Sequence, residues 1–265
     1  MQDMYEWLHY FNAYGWFSLI IFLEYLFPNR RYELLNQGWL SDLFHTYEPM
    51  ARAMLINACA VGIHGLLPMQ GPLKDLLLEA PAWQVFLMAL FVSETSFYFV
   101  HRLLHWNPIL WEFHRVHHSS TRYYSLMTSR FHLLDVVLFI APYVVIMGWF
   151  GAGGIGLLWF GFFQGFVDRY GHSNINGPHF NGRILMTPHF HAWHHSTEPE
   201  AADKNFSRNL VILDYLFGTA YYPKDKKAQN FGDQNYSNNY IVQQLLPFYY
   251  VARKMKHYVS SIFSR

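Results

Sequence analysis

Charge is scarce in this sequence: Asp, Glu, Lys and Arg make up 14% of its 265 residues, against roughly 25% in a typical soluble domain. The formal net charge is +1, so there is no basic excess to neutralise phosphates, and nucleic acid is excluded as a partner. The single cysteine, Cys59, cannot close an internal disulfide. No Lys or Arg precedes the first apolar run, where Asp3 and Glu6 stand instead. A secretory signal needs that basic region, so the first segment is expected to stay in the mature protein. There is no long internal repeat and no low-complexity linker. What is abundant is apolar: 52% hydrophobic residues and 20% aromatics, gathered in long runs that suit a bilayer.

Five apolar segments are predicted, at about residues 14–27, 50–67, 82–100, 133–150 and 156–167. A helix crossing the hydrocarbon needs about 20 residues, so the first and fifth are short. Between the fourth and fifth stands the turn Gly151-Ala152-Gly153-Gly154, which predicts a helical hairpin dipping in and back. Glu94 lies within the third segment, where a carboxylate is costly unless it faces the protein interior. The expected fold is all-α: an integral-membrane helical bundle of about four or five segments under a cytoplasmic, histidine-rich helical cap. Residues 1–80 would supply N-terminal membrane helices, 81–222 the catalytic core and 223–265 an interfacial tail. In that tail, residues 241–263 mix apolar and basic side chains as an interfacial helix does, with Pro247 expected to interrupt it.

Charge placement orients this bundle. With five crossings and an outside N-terminus, residues 28–49, 101–132 and 168–265 share one side. Of the 19 Lys and Arg, only Lys74 falls on the other. The positive-inside rule makes the crowded side cytoplasmic, in a bacterial inner membrane or the endoplasmic reticulum.

Sixteen histidines are the anomaly, and twelve of them lie between His101 and His195. His101 and His105 share one helix face at i, i+4 spacing, just past the third segment. Asn107 and Pro108 form a start signal for a second helix that presents His114, His117 and His118. Thr187 and Pro188 repeat that signal ahead of His191, His194 and His195. Neutral imidazole is a ligand for first-row metals. Eight histidines at ligand spacing exceed one tetrahedral site, so two ions are expected. The His-Glu-x-x-His motif of zinc proteases is absent, and no Glu-x-x-His pair of the soluble di-iron bundles lies in this histidine-rich region.

His101-Arg-Leu-Leu-His105, His114-Arg-Val-His-His118 and His191-Ala-Trp-His-His195 together resemble the eight-histidine signature of the fatty acid hydroxylase/sterol desaturase superfamily. The resemblance extends to Tyr170-Gly171-His172-Ser173-Asn174, to Asp203-Lys204-Asn205-Phe206 and to Asp214-Tyr215-Leu216-Phe217-Gly218-Thr219. It also takes in Arg130-Phe131-His132, where Leu133 replaces a proline. It covers roughly residues 90–220. It implies two iron ions (zinc as a possible substitute), O2 as oxidant, a separate electron-donor protein and a lipid substrate. It makes His101, His105, His114, His117, His118, His191, His194 and His195 metal ligands and His172 a ninth. Some relatives carry a further histidine where Asn176 stands here. His132 is therefore a candidate tenth ligand, or else a group that steadies one.

Around these, Asp203, Asn205 and Asp214 are candidates to orient imidazoles, or alternatively cap helices and shape loops. His179 and His189 are expected beside the ligands or at the surface, and His9, His45, His64 and His257 in structural roles. Glu94, Phe97, Tyr98 and Tyr124 are candidates for the wall of a lipid slot. The reading is O2-dependent lipid hydroxylation. Its alternatives are desaturation at the same metals and, in another class, a non-redox zinc-binding membrane protein. The scarcity of charge within the segments disfavours a transporter.

Overall fold

A computed structural model describes residues 7–8, 11–31, 38–47, 58, 62, 65, 70–177 and 182–263. Among them the chain is all-helical, with isolated bridges and no β-strand. After a π-turn at Phe11–Gly15 come α1 (Trp16–Leu26), α2 (Trp39–Tyr47), α3 (Ala82–Trp106) and α4 (Leu110–His118). A 3-10 turn at Ser125–Ser129 leads to α5 (Leu133–Trp149), α6 (Gly154–Gly171), α7 (Pro188–His194), α8 (Ile212–Leu216) and α9 (Tyr240–Phe263). Most of the second apolar segment, with His9, His64 and His179, lies outside the described residues.

The axis of the molecule is α3. Its 25 residues give a rod of about 37 Å, and among the described residues it is the one helix long and apolar enough to cross a membrane. One face, with Val85, Ala89, Val92, Tyr98 and His101, is buried. The outward positions Leu87, Phe91, Phe99 and Leu103 are apolar as well, the reverse of a helix facing water.

The arms of the predicted hairpin, α5 and α6, pack chiefly on α3. Their turn needs glycine: Gly151 has φ +65, and a Cβ there would sit 3.0 Å from the Asp75 carboxylate. Leu77, Val85, Ala89, Val92, Met147 and Phe160 form the core at that end. At the opposite end α3 runs on past residue 100, carrying His101 and His105 beyond the apolar stretch. There α4, the 3-10 turn, α7 and the segment leading to α9 gather around a second core of Tyr123, Met127, Ala192, Trp193, Ala201, Ala228 and Phe231.

The expected break at Pro247 does not occur, for α9 continues through it for 24 residues. A mid-helix proline removes one N–H bond, and α9 is held by packing on α2 and α4.

Candidate metal centre

The elements meeting at the cap end of α3 are short helices opened by side-chain caps. Asn107 Oδ1 accepts the amides of Ile109 (2.9 Å) and Leu110 (3.1 Å) at the start of α4. Thr187 Oγ1 accepts the amide of Phe190 (3.3 Å) ahead of α7. These caps fix the helix starts and so set which imidazoles turn inward. Two groups result. His101, His105, His114, His118 and His194 place ligand nitrogens within 4.8 Å of one another, and His117, His172, His191 and His195 do the same. Helix α4 divides its histidines between the groups, and so does α7.

For six of the nine rings the far side identifies the tautomer. The Nδ1 atoms of His101, His194 and His172 donate to the carbonyls of Phe206, Lys204 and Asp168, each at 2.8 Å. His117 Nδ1 donates to the Arg130 carbonyl at 3.2 Å. His114 Nδ1 meets Asp135 Oδ2 at 3.0 Å and His105 Nδ1 meets Asp203 Oδ1 at 3.4 Å. A carbonyl only accepts, so the proton sits on Nδ1 and Nε2 keeps its lone pair. Burial holds the rings neutral: it pushes His114, His117, His118, His191, His194 and His195 well below the ordinary imidazole range, with mutual repulsion among the rings adding to it. Burial takes His172 down to about 4.

The lone pairs therefore face one another. The Nε2 atoms of His101, His105, His114, His118 and His194 are buried and meet no protein donor. His117 Nε2 and His172 Nε2 stand 3.3 Å apart, and neither carries a proton to share. His172–His191 and His191–His195 pairs of Nε2 atoms follow at 2.9 and 3.2 Å. Imidazoles bound tetrahedrally to one ion at about 2.0–2.1 Å stand about 3.3 Å from each other, so the second group already has the spacing of a ligand shell. The donor set fits a metal ion in each group, and all-imidazole sites suit iron or zinc.

A cavity of about 40 Å³ touches both groups, with His101, His114, His117, His172 and His191 in its lining. Phe97, Phe131, Met186, Ser207, Arg208 and Asp168 line it as well.

A match to the fatty acid hydroxylase family covers residues 86–219, half of the chain and all nine of these histidines. The chain belongs to the fatty acid hydroxylase family. An ornithine lipid hydroxylase, OlsE, of Rhizobium tropici is 34% identical over 177 residues, 65% of this chain and 53% of that protein. Alkylglycerol monooxygenases match more briefly. The Danio rerio protein is 33% identical over 56% of this chain and 34% of its own length, and the human one 31% identical over 47% and 28%. The chain thus spans about half or less of each of these relatives. No solved structure matches it.

Within this family member the nine expected ligands come together, whereas His132 does not join them. Its Nδ1 accepts the Leu134 amide at 3.0 Å, capping α5, and its Nε2 donates to the Gln244 carbonyl at 3.0 Å. Of the residues expected to orient imidazoles, Asp203 reaches His105, while Asn205 and Asp214 hold backbone. Asn205 Nδ2 donates to the Phe190 and Tyr221 carbonyls. Asp214 accepts the amides of Phe206 and Ser207 at 2.8 and 2.9 Å, which steadies the carbonyl that His101 uses.

Among the wall candidates Phe97 lines the cavity. Tyr98 bonds Thr219, Tyr124 bonds Asp42 at 2.5 Å, and Glu94 accepts the amides of Asn209 and Leu210. His189 donates to the Pro223 carbonyl at 3.1 Å, and His45 bonds Gln243 Oε1 at 2.8 Å. Missed from sequence was Asp135, wholly buried against His114. It is 21 residues away along the chain, and no local spacing announces it.

Proposed function

We propose that this chain is a membrane-bound lipid hydroxylase with a dinuclear metal centre, taking O2 as oxidant and electrons from a separate donor protein. The observation that carries the reading is the pair of facing, unprotonated Nε2 atoms on His117 and His172, 3.3 Å apart in a buried site. Buried Nε2 atoms with no donor in one group, and two facing unprotonated Nε2 atoms in the other, are costly unless a cation meets them. Family membership and the lipid names of the relatives supply the substrate class.

In this reading His101, His105, His114, His118 and His194 hold one ion, and His117, His172, His191 and His195 the other. Bound iron would supply the reductive activation of O2 that an unactivated C–H bond requires. Overall, one oxygen atom enters the C–H bond and the other leaves as water, with two electrons and two protons from outside. The chain fixes six of the nine rings, those of His101, His105, His114, His117, His172 and His194, through their Nδ1 partners. It keeps the rings unprotonated by burying them, and it lines the reaction space with Phe97, Phe131 and Met186, which exclude bulk water. The catalytic core is assigned to residues 81–222.

Two measurements test this. Purified protein from iron-replete cells should hold close to two metals per chain, zinc counting as a substitute. Lipid extracts of expressing cells should contain a species heavier by one oxygen. Loss of two hydrogens instead would favour desaturation, and a folded sample with no metal would remove the reading altogether.

The exposed apolar face of α3 and the placement of basic residues support a multi-pass arrangement with the metals on the cytoplasmic side. In a Cys59→Ser background, a cysteine at Lys227 is expected to react only with reagent that reaches the cytoplasm. A cysteine at Lys74 should react with reagent added outside. The reverse pattern would overturn the orientation, and labelling of both from one side would mean that α3 does not cross.

A further inference from the structure

The cavity beside the histidines has one polar corner, and an apolar slot for a hydrocarbon would not need it. Arg208 makes a bidentate ion pair with Asp168, Nε to Oδ1 at 2.9 Å and a terminal nitrogen to Oδ2 at 2.6 Å. Its guanidinium lies over the Phe97 ring, 4.9 Å from the centroid. Phe97 is one helical turn before His101 on α3, so the pair sits about a turn from the first histidine group.

The placement is rigid. Glu94, two turns before His101, accepts the amides of Asn209 (3.1 Å) and Leu210 (3.0 Å), pinning the backbone that carries Arg208. Next to it, Ser207 is fully buried and lines the same cavity, yet its hydroxyl bonds to no protein group. In this buried polar corner the Ser207 hydroxyl is left without a partner, which is costly unless something polar meets it.

An ion pair that only tied α6 to the 204–211 segment would account for Arg208 and Asp168. It would leave Ser207 unexplained, because alanine at that position would fold at least as well.

We propose that Ser207, Arg208 and Asp168 form a subsite for a hydrogen-bonding polar group of the lipid substrate, a hydroxyl or an amine. The subsite holds the oxidised carbon within about one helical turn, roughly 5 Å, of that group. The occupant rests on the lipid-oxygenase reading. The subsite makes it more specific, since the target carbon then lies beside the polar end of the lipid and not far down its chain. Asp168 and Arg208 together offer acceptor and donor with no net charge, which suits a neutral or cationic group better than an isolated anion. The three residues determine specificity, and none of them is assigned a part in the oxidation itself.

The test uses the purified full-length chain in detergent and two probes, hexadecylglycerol and its dimethyl ether, whose hydroxyls are capped. Their relative affinities are read by competition in native mass spectrometry. The unaltered protein is expected to prefer the free diol by about ten-fold, the effect of one hydrogen bond to a charged group. Ser207→Ala and Asp168→Asn should each cut that preference at least about three-fold. Ser207→Ala should keep its metal content and melting temperature, and it decides the matter if Asp168→Asn folds poorly.

Equal binding of the two probes by the unaltered protein would overturn the subsite. So would a preference that survives both substitutions, which would leave the ion pair a structural tie. The diol preference without any oxidised lipid in expressing cells would sink the oxygenase reading and leave the subsite standing. Oxidised lipid without the preference would do the opposite.

Discussion

The two histidine groups are built from the same side chain and differ in what stands behind it. In the group of five, His114 is backed by the wholly buried Asp135 and His105 by Asp203, with carbonyls behind His101 and His194. In the group of four, carbonyls alone back His117 and His172, and the Nδ1 atoms of His191 and His195 are buried without a partner. A carboxylate on the far N–H makes an imidazole a stronger donor and fixes its plane, and a carbonyl does so more weakly. On the proposed dinuclear reading the first group would therefore hold its ion more tightly. The second would offer four imidazoles against five, two of them unbraced at Nδ1. The cavity lies against both groups, so the asymmetry is not one of access.

The largest expected effects come from removing one ligand from each group. His118→Ala and His195→Ala should each lower turnover at least about a hundred-fold while the membrane helices still insert, because insertion depends on the apolar segments. Metal analysis separates the two. His195→Ala leaves three imidazoles in its group and should purify with about one metal per chain. His118→Ala leaves four and should retain more. Equal losses would break the comparison, and near-normal activity in either variant would remove that residue from the centre.

Smaller effects should follow from the braces. Asp135→Asn preserves shape and removes charge, and such a change behind a ligand typically costs ten- to a hundred-fold in metal affinity. Asp203→Asn should cost less, since its side chain is 75% exposed and stands 3.4 Å from His105. Chelator competition on the two purified variants reads the order directly. If Asp203 proved the more costly, buried charge would not be what distinguishes the first group.

The candidate ligands were legible in the sequence, whereas among their braces only Asp203 was, for a physical reason. Ligation needs a particular side chain at helical spacing, which leaves a mark at residues 101–118 and 191–195. A brace needs only an acceptor, and any backbone carbonyl can serve. The carbonyls of Phe206, Arg130, Asp168 and Lys204 carry no sign of their task in the residue names. Asp203-Lys204-Asn205-Phe206 shows how such carbonyls are aimed. Asp203 and Asn205 adopt φ +54 and +60, left-handed conformations that Asp and Asn tolerate, and the carbonyls of the alternating residues reach His194 and His101. Sequence reading offered Asp203, Asn205 and Asp214 alike as partners of imidazoles or, alternatively, as caps and loop formers. Only the first touches one, and the other two shape the loop that does the rest.

The smallest expected effect concerns His132, whose neighbours in sequence match the family pattern but whose ring belongs to neither group. Both of its nitrogens are in use away from the centre, one capping α5 and the other on the Gln244 carbonyl that ties α9 to the cap. His132→Ala should therefore leave metal content and the order of chelator release unchanged. It should lower stability by about 1 kcal/mol, the usual cost of deleting a helix N-cap. His132→Asn restores an acceptor at the cap position and should recover most of that loss, whereas no asparagine would restore a lost metal ligand. A fall in metal content in His132→Ala, unrepaired by asparagine, would mean that the second group draws on a fifth imidazole after all, and the contrast between the two groups would narrow to their braces.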